Sequence, residues 1–176
     1  MRMIKTALAA LALALAAAGP AAARPAEVAS AIPGAQQVGE ARYSLLTISL
    51  FEAELWTSNG AFSWNAPFAL TLNYERAARQ STLINRTLSE MSQRGAGNAN
   101  ALAPLRTQLE QCFPNIARGD RVTGVSTGAN TAVFYHNGAR RCDIEWPGFR
   151  RHFFGIWLDG RDGQAATLSA RLRGES

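Results

Sequence analysis

The sequence predicts an α+β domain, with helices packed on one face of a mostly antiparallel sheet. Three observations predict it. Residues 68–74 alternate apolar and polar side chains, as a half-buried strand does. Residues 78–113 switch to apolar residues at helical spacing. Asn137-Gly138 then separates two further alternating runs and is a strong hairpin signal. The resulting order is two strands, two helices, three strands and two helices.

Residues 24–37 are rich in Ala and Pro and read as a lead-in, with the domain itself in residues 38–176. Residues 41–57 read as one long strand. Tyr43, Leu45, Thr47, Ser49 and Phe51 share one parity, and Leu46, Ile48 and Leu50 share the other. Apolar side chains on both faces predict cover on both sides for part of its length. Ser58-Asn59-Gly60 is a turn signal. Phe68, Leu70, Leu72 and Tyr74 then line one face of an antiparallel neighbour.

Leu83, Ile84, Leu88 and Met91 place a helix over residues 78–93, which Gly95 and Gly97 end. Leu102, Leu105, Leu109 and Cys112 form the stripe of a second helix over residues 99–113, stopped by Pro114. Strands follow at residues 120–127, 131–136 and 139–145. Pro147 opens a helix whose apolar side is Phe149, Phe153, Ile156 and Trp157, and a last polar helix spans residues 163–172.

The opening residues predict export. Arg2 and Lys5 precede an unbroken Ala and Leu run over residues 7–18, Gly19-Pro20 breaks it, and Ala21-Ala22-Ala23 offers small residues to a signal peptidase. The run is 12 residues long, short of the ~20 that span a bilayer. An uncleaved anchor is therefore disfavoured, and no later stretch reads as membrane-spanning. Cleavage near Ala23 leaves 153 residues, enough for one soluble domain with a core, periplasmic or secreted.

The formal charge of +5 falls to +3 without Arg2 and Lys5, and every remaining cation is Arg. Neither Arg140-Arg141 nor Arg150-Arg151 belongs to a basic tail or an aromatic pattern, so a solvated Arg surface is expected rather than nucleic-acid binding. His136 and His152 have no nucleophile motif and no metal-ligand spacing beside them, and there is no Gly-rich phosphate loop. No cofactor and no metal are expected. Cys112 and Cys142 in an oxidising compartment suggest a disulfide, worth about 3–4 kcal/mol across their separation. Two separate buried thiols are the alternative, because spacing does not fix the Cα distance.

Several features occur together in order: Val38-Gly39-Glu40-Ala41-Arg42, Phe113-Pro114, Gly119-Asp120, Phe134-Tyr135-His136-Asn137-Gly138, and Phe153-Phe154-Gly155-Ile156-Trp157-Leu158. In this order and spacing the chain resembles the chalcone isomerase-like domains that many bacteria export. The resemblance runs from Val38 to Leu158. It implies an open-faced β-sandwich, with a large antiparallel sheet, a helical layer and a ligand cleft between them. Plant members cyclise chalcones, and related plastid proteins bind fatty acids.

Arg42 matches the family's first-strand arginine, which meets an oxyanion in the enzymes and a carboxylate in the fatty-acid binders. A guanidinium suits both, being permanently charged with a planar fork of donors. Ser49 falls near the family's hydroxyl-bearing threonine. The tyrosine of the first helix is missing from residues 77–82, its asparagine position falls near Arg86, and the hydroxyl before the last long helix falls in residues 140–142.

The reading is therefore a non-catalytic periplasmic protein that holds a fatty acid or similar amphiphile, with Arg42, Ser49 and Tyr74 at the ligand. Alternatively, Arg42 is a structural residue paired with Glu40, Glu52 or Glu54, and Tyr74 is a core aromatic. An isomerase using Arg42, with Tyr74 or Ser49 as donor, and an envelope interaction protein without a ligand are the other functional readings. The protein partner in that last case is unknown.

Overall fold

The computed structural model describes residues 23–175. The predicted signal segment, apart from Ala23, lies outside the described residues.

The order is α1 (Ala26–Ala31), β1 (Gln36–Leu45), β2 (Ile48–Thr57), β3 (Phe68–Tyr74), α2 (Gln80–Gln93), α3 (Ala103–Cys112), β4 (Arg121–Ser126), β5 (Thr131–His136), β6 (Ala139–Glu145), α4 (Phe149–Leu158) and α5 (Gly163–Leu172). The six strands form one sheet in the order β1-β2-β3-β4-β5-β6, and each neighbouring pair is antiparallel. The helical hairpin α2–α3 is inserted between β3 and β4. Helices α4 and α5 return across the same face to β1.

Residues 41–57, expected as one strand, are instead parts of two. Leu46 adopts a left-handed conformation (φ 54°) and turns β1 back on β2. This hairpin has no Gly, Asn or Asp at its turn, so apolar alternation runs through it without a break. At Asn137-Gly138 the residues do announce the turn: φ is 50° and 84°, as a type I′ turn requires.

Alternation sorts the sheet into two faces. Ala53, Leu55, Phe68, Leu70, Phe134 and Ile144 face the helices, where they join Met91, Leu105 and Leu109 and the aromatic side of α4 in one core. Phe149, Phe153 and Phe154 are buried, and Phe154 meets Phe68 edge-to-face with centroids 5.1 Å apart. A Cβ on Gly124 would lie 3.0 Å from the Phe134 ring and 3.2 Å from Phe154, so a side chain here would push the two rings back by a few tenths of an ångström. Gly39 plays the same part at the edge. A Cβ there would collide with the Arg171 and Leu172 carbonyls, where α5 lies across β1.

The lead-in is not passive. Its helix α1 covers part of the opposite face, where Val28, Ile32 and Ala35 bury Trp56, Ala69 and Val125. Glu27 anchors it. Arg121 donates to both carboxylate oxygens, at 2.7 and 3.0 Å, and Thr123 Oγ1 donates at 2.9 Å. Burial works against the Glu27 charge, but the bonds from Arg121, the backbone and Thr123 outweigh it and hold its pKa below 4.5. On the helical side, a disulfide joins Cys112 at the end of α3 to Cys142 in β6, with Cα atoms 5.2 Å apart.

Two stability predictions follow from these tethers. Cys142→Ala should lower the unfolding free energy in urea by about 3–4 kcal/mol, and an unchanged midpoint would contradict the bridge. Glu27→Gln should cost about 2 kcal/mol. Because the folded pKa of Glu27 is depressed, its contribution is complete above about pH 4.5 and disappears as pH falls through the folded value. Acid titration of the Gln variant should lack that part of the slope.

Candidate functional site

The end of the sheet at the β1–β2 hairpin brings together most of the residues singled out in the sequence. Phe51 pairs with Tyr43 on one side and with Tyr74 on the other. Tyr43 stacks on Phe51 at 4.9 Å, and Phe51 meets Tyr74 at 5.5 Å. The three rings are half-buried and pack on the edge of the main core. Tyr43 OH donates to the Trp157 carbonyl at 3.5 Å, joining β1 to the end of α4.

Burial controls the phenols here. It raises the pKa of Tyr74 to about 12, and raises that of Tyr43 as well. Both remain neutral at physiological pH, as donors or packing groups rather than bases. Ser49 lies on β2, not on the strand of Arg42. The register slips beside it, between Tyr43 and Ser44, whose successive partners are Phe51 and Ser49. The Ser49 Oγ is buried and has no hydrogen-bond partner among the described residues.

Arg42 does not enter this group. It stands between Ala41, which is in the core, and Tyr43, which packs on it, so the pleat turns Arg42 to the other face. Its side chain is 60% exposed and pairs with Glu52 at 3.0 Å and Glu75 at 3.4 Å. The hydrogen bond that Arg42 donates to Glu52, then the Glu75 charge, raise its pKa, and Glu40 adds to the same negative field. Of the two expectations for Arg42, the geometry is that of a structural ion pair.

The cleft expected between sheet and helices is filled by side chains. Phe134, Phe149, Phe153, Leu105 and Leu109 occupy it, each at most 4% exposed. Two concavities lie outside this core. One, of about 390 Å³, runs between α2 and α3 over Leu88, Leu102 and Ala103, with Asn85 and Arg106 hydrogen-bonded at its edge. The other lies over Ala77, Ala78 and Arg79 beside Asn115 and Ile116.

His136 is not a free turn residue. Its Nε2 lies 3.0 Å from Asp120 Oδ2, and Asn137 Nδ2 donates to Asp120 Oδ1 at 2.9 Å. The bonds from Asn137, the Ala117 backbone and His136 hold the Asp120 pKa at about 2. These contacts fix the β5–β6 turn against the loop before β4.

The hairpin tip is not announced by the sequence. Leu46 is 93% exposed, Leu45 64% and Ile48 47%. An alternating strand sends such residues to its faces, and only the hidden turn puts them into solvent. An absorbance titration comparing the protein with Tyr74→Phe should place the lost phenol near pH 12; a Tyr74 ionisation at an ordinary value would contradict the burial described here.

No family model matches the chain, and no curated protein matches it. Among solved structures, a fatty-acid binding protein of Arabidopsis thaliana superposes with a TM-score of 0.62 at 9% identity, covering 81% of this chain and 88% of that one. At that identity the likeness is one of fold: a six-stranded antiparallel sheet with helices, chalcone isomerase-like in architecture.

Proposed function

We propose that this protein is an exported, non-catalytic binder of an anionic amphiphile of fatty-acid type, and that the ligand engages the hairpin end of the sheet. The observation that carries the reading is the continuity of the exposed Leu45, Leu46 and Ile48 with the half-buried Tyr43, Phe51 and Tyr74. Aliphatic surface left in water at a turn is the mark of a contact site. Each methylene of an acyl chain covered there contributes roughly 0.8 kcal/mol. The fold neighbour, a fatty-acid binding protein, supports the ligand class. Export rests on the leader sequence.

The orphan Ser49 hydroxyl supplies a polar group at this end, with the Tyr74 phenol nearby. Arg42 takes part only by exchanging Glu52 and Glu75 for the ligand carboxylate. Isomerase chemistry fits less well, because an oxyanion donor must face the reacting atoms and Arg42 faces away from the helical layer.

Calorimetric titration with palmitate tests the proposal. The protein should bind saturably, and Leu45→Asp with Leu46→Asp should weaken binding at least tenfold with no loss of helix or sheet signal. Glu52→Gln should tighten binding if Arg42 serves the head group, and leave it unchanged otherwise. Failure of the unmodified protein to bind would overturn the reading. The filled interior favours a second one, an envelope interaction protein that covers the same tip with a protein partner. Native mass spectrometry of protein from its own envelope separates the two, by lipid mass or protein mass.

A further inference from the structure

The end of the sheet opposite the hairpin holds two arginines that, among the described residues, no carboxylate neutralises. Arg150, in the first turn of α4, is only 6% exposed. Its Nε donates to Ser126 Oγ at 2.7 Å, and its Nη1 donates to the Trp64 carbonyl at 2.8 Å. Both acceptors are uncharged. The guanidinium also lies over the Phe68 ring, 5.8 Å from its centroid. Arg151 is exposed and stacks over the Trp64 ring at 4.4 Å. Among the described residues neither arginine has an ion-pair partner, unlike Arg42, Arg121 and Arg140.

Burial of Arg150 corrects the expectation of a solvated Arg surface at that residue, while Arg151 is exposed as expected, and an electrostatic imbalance is left. Buried cations are ordinarily paired, because desolvation penalises the charge. Here burial first, and the Arg151 charge second, disfavour protonated Arg150. The pair also stands at the positive end of the α4 dipole, where anions are stabilised.

The backbone is not the receptor. The N–H groups of Gly148, Phe149, Arg150 and Arg151 already donate to Asn130 Oδ1 and to the carbonyls of Trp146, Ala129 and Gly148. The guanidiniums hold the unused donors: among the described residues, Arg150 Nη2 and the whole head of Arg151 have no hydrogen-bond partner.

We propose that Arg150 and Arg151, arranged around Trp64, form a binding site for a phosphoryl group. Two unneutralised guanidiniums match the charge of a dianion, and their planar forks match its oxygens. A carboxylate would leave one cation unbalanced. Trp64 is held edge-on by Phe62 at 5.0 Å and Phe68 at 6.1 Å, so the platform under Arg151 is fixed before a ligand arrives. The bonds to Ser126 and Trp64 fix Arg150 in the same way. A purely structural strut would account for those two bonds, but not for the second cation or the missing acid.

Titration of the protein with inorganic phosphate at low ionic strength tests the site. Saturable binding is expected at about 1 mM or tighter. Arg151→Ala should weaken it roughly five- to tenfold, with an unchanged melting temperature because that side chain is exposed. Arg150→Lys, which keeps the charge and loses the fork, should weaken it by a similar factor. No saturation, or affinity indifferent to Arg151→Ala, overturns the site. Acetate binding as tightly as phosphate overturns the phosphoryl assignment. Phosphatidic acid vesicles identify the source: tighter binding than inorganic phosphate, lost in Arg151→Ala, indicates a lipid head group, and weaker or equal binding indicates a free phosphate.

Discussion

The aromatic seam between the sheet and α4 sets the terms for everything else in this structure. Phe149 and Phe153 stack with centroids 4.8 Å apart, and Phe134 and Phe154 close on them edge-to-face. Gly124 gives up its side chain to admit the rings. Burying such groups stabilises a domain by roughly 1.5–3 kcal/mol each, and the same packing leaves the interior without room for a guest. The two layers are joined by ring-to-ring contact. The two proposed contact sites accordingly lie at the two ends of the sheet, one aliphatic and one cationic.

The distribution of charge follows the pleat. One residue of shift separates a guanidinium in the helical layer from one on the open face, and Arg42 falls on the open side among Glu40, Glu52 and Glu75. Arg121 on the same face is matched by Glu27 from α1. Arg150 sits in protein interior with neutral acceptors alone. An arginine's consequence therefore depends on its company, which a linear sequence does not display.

Much of the fold was legible in the residues. The strands at 68–74, 131–136 and 139–145 and the helix at 163–172 lie where alternation, spacing and Asn137-Gly138 put them. Helices α2 and α3 begin a few residues later than expected, because Ala78 pairs with Ile116 ahead of α2 and residues 99–102 form a turn before Pro104 opens α3. The β1–β2 hairpin was hidden by Leu46, an aliphatic residue in a conformation usually left to Gly or Asn. Helix α1 was hidden by its brevity and its neighbouring prolines, and it stays docked through the buried Glu27 pair and the packing of Val28 and Ile32 on the sheet. The site was less legible than the fold. Ser49 and Tyr74 do lie at one end of the sheet, but the exposed tip beside them depends on the hidden turn. The Arg150 environment depends on Trp64 and Ser126, distant in sequence and unremarked by any motif.

Chemical-shift mapping of the labelled protein with palmitate bears most directly on a closed interior with binding at the sheet end. Perturbations are expected at Tyr43, Leu45, Leu46 and Ile48, with the Leu105, Leu109 and Ile144 methyls unmoved. Perturbations concentrated on those interior methyls would contradict it, by showing that the aromatic seam opens to admit a chain.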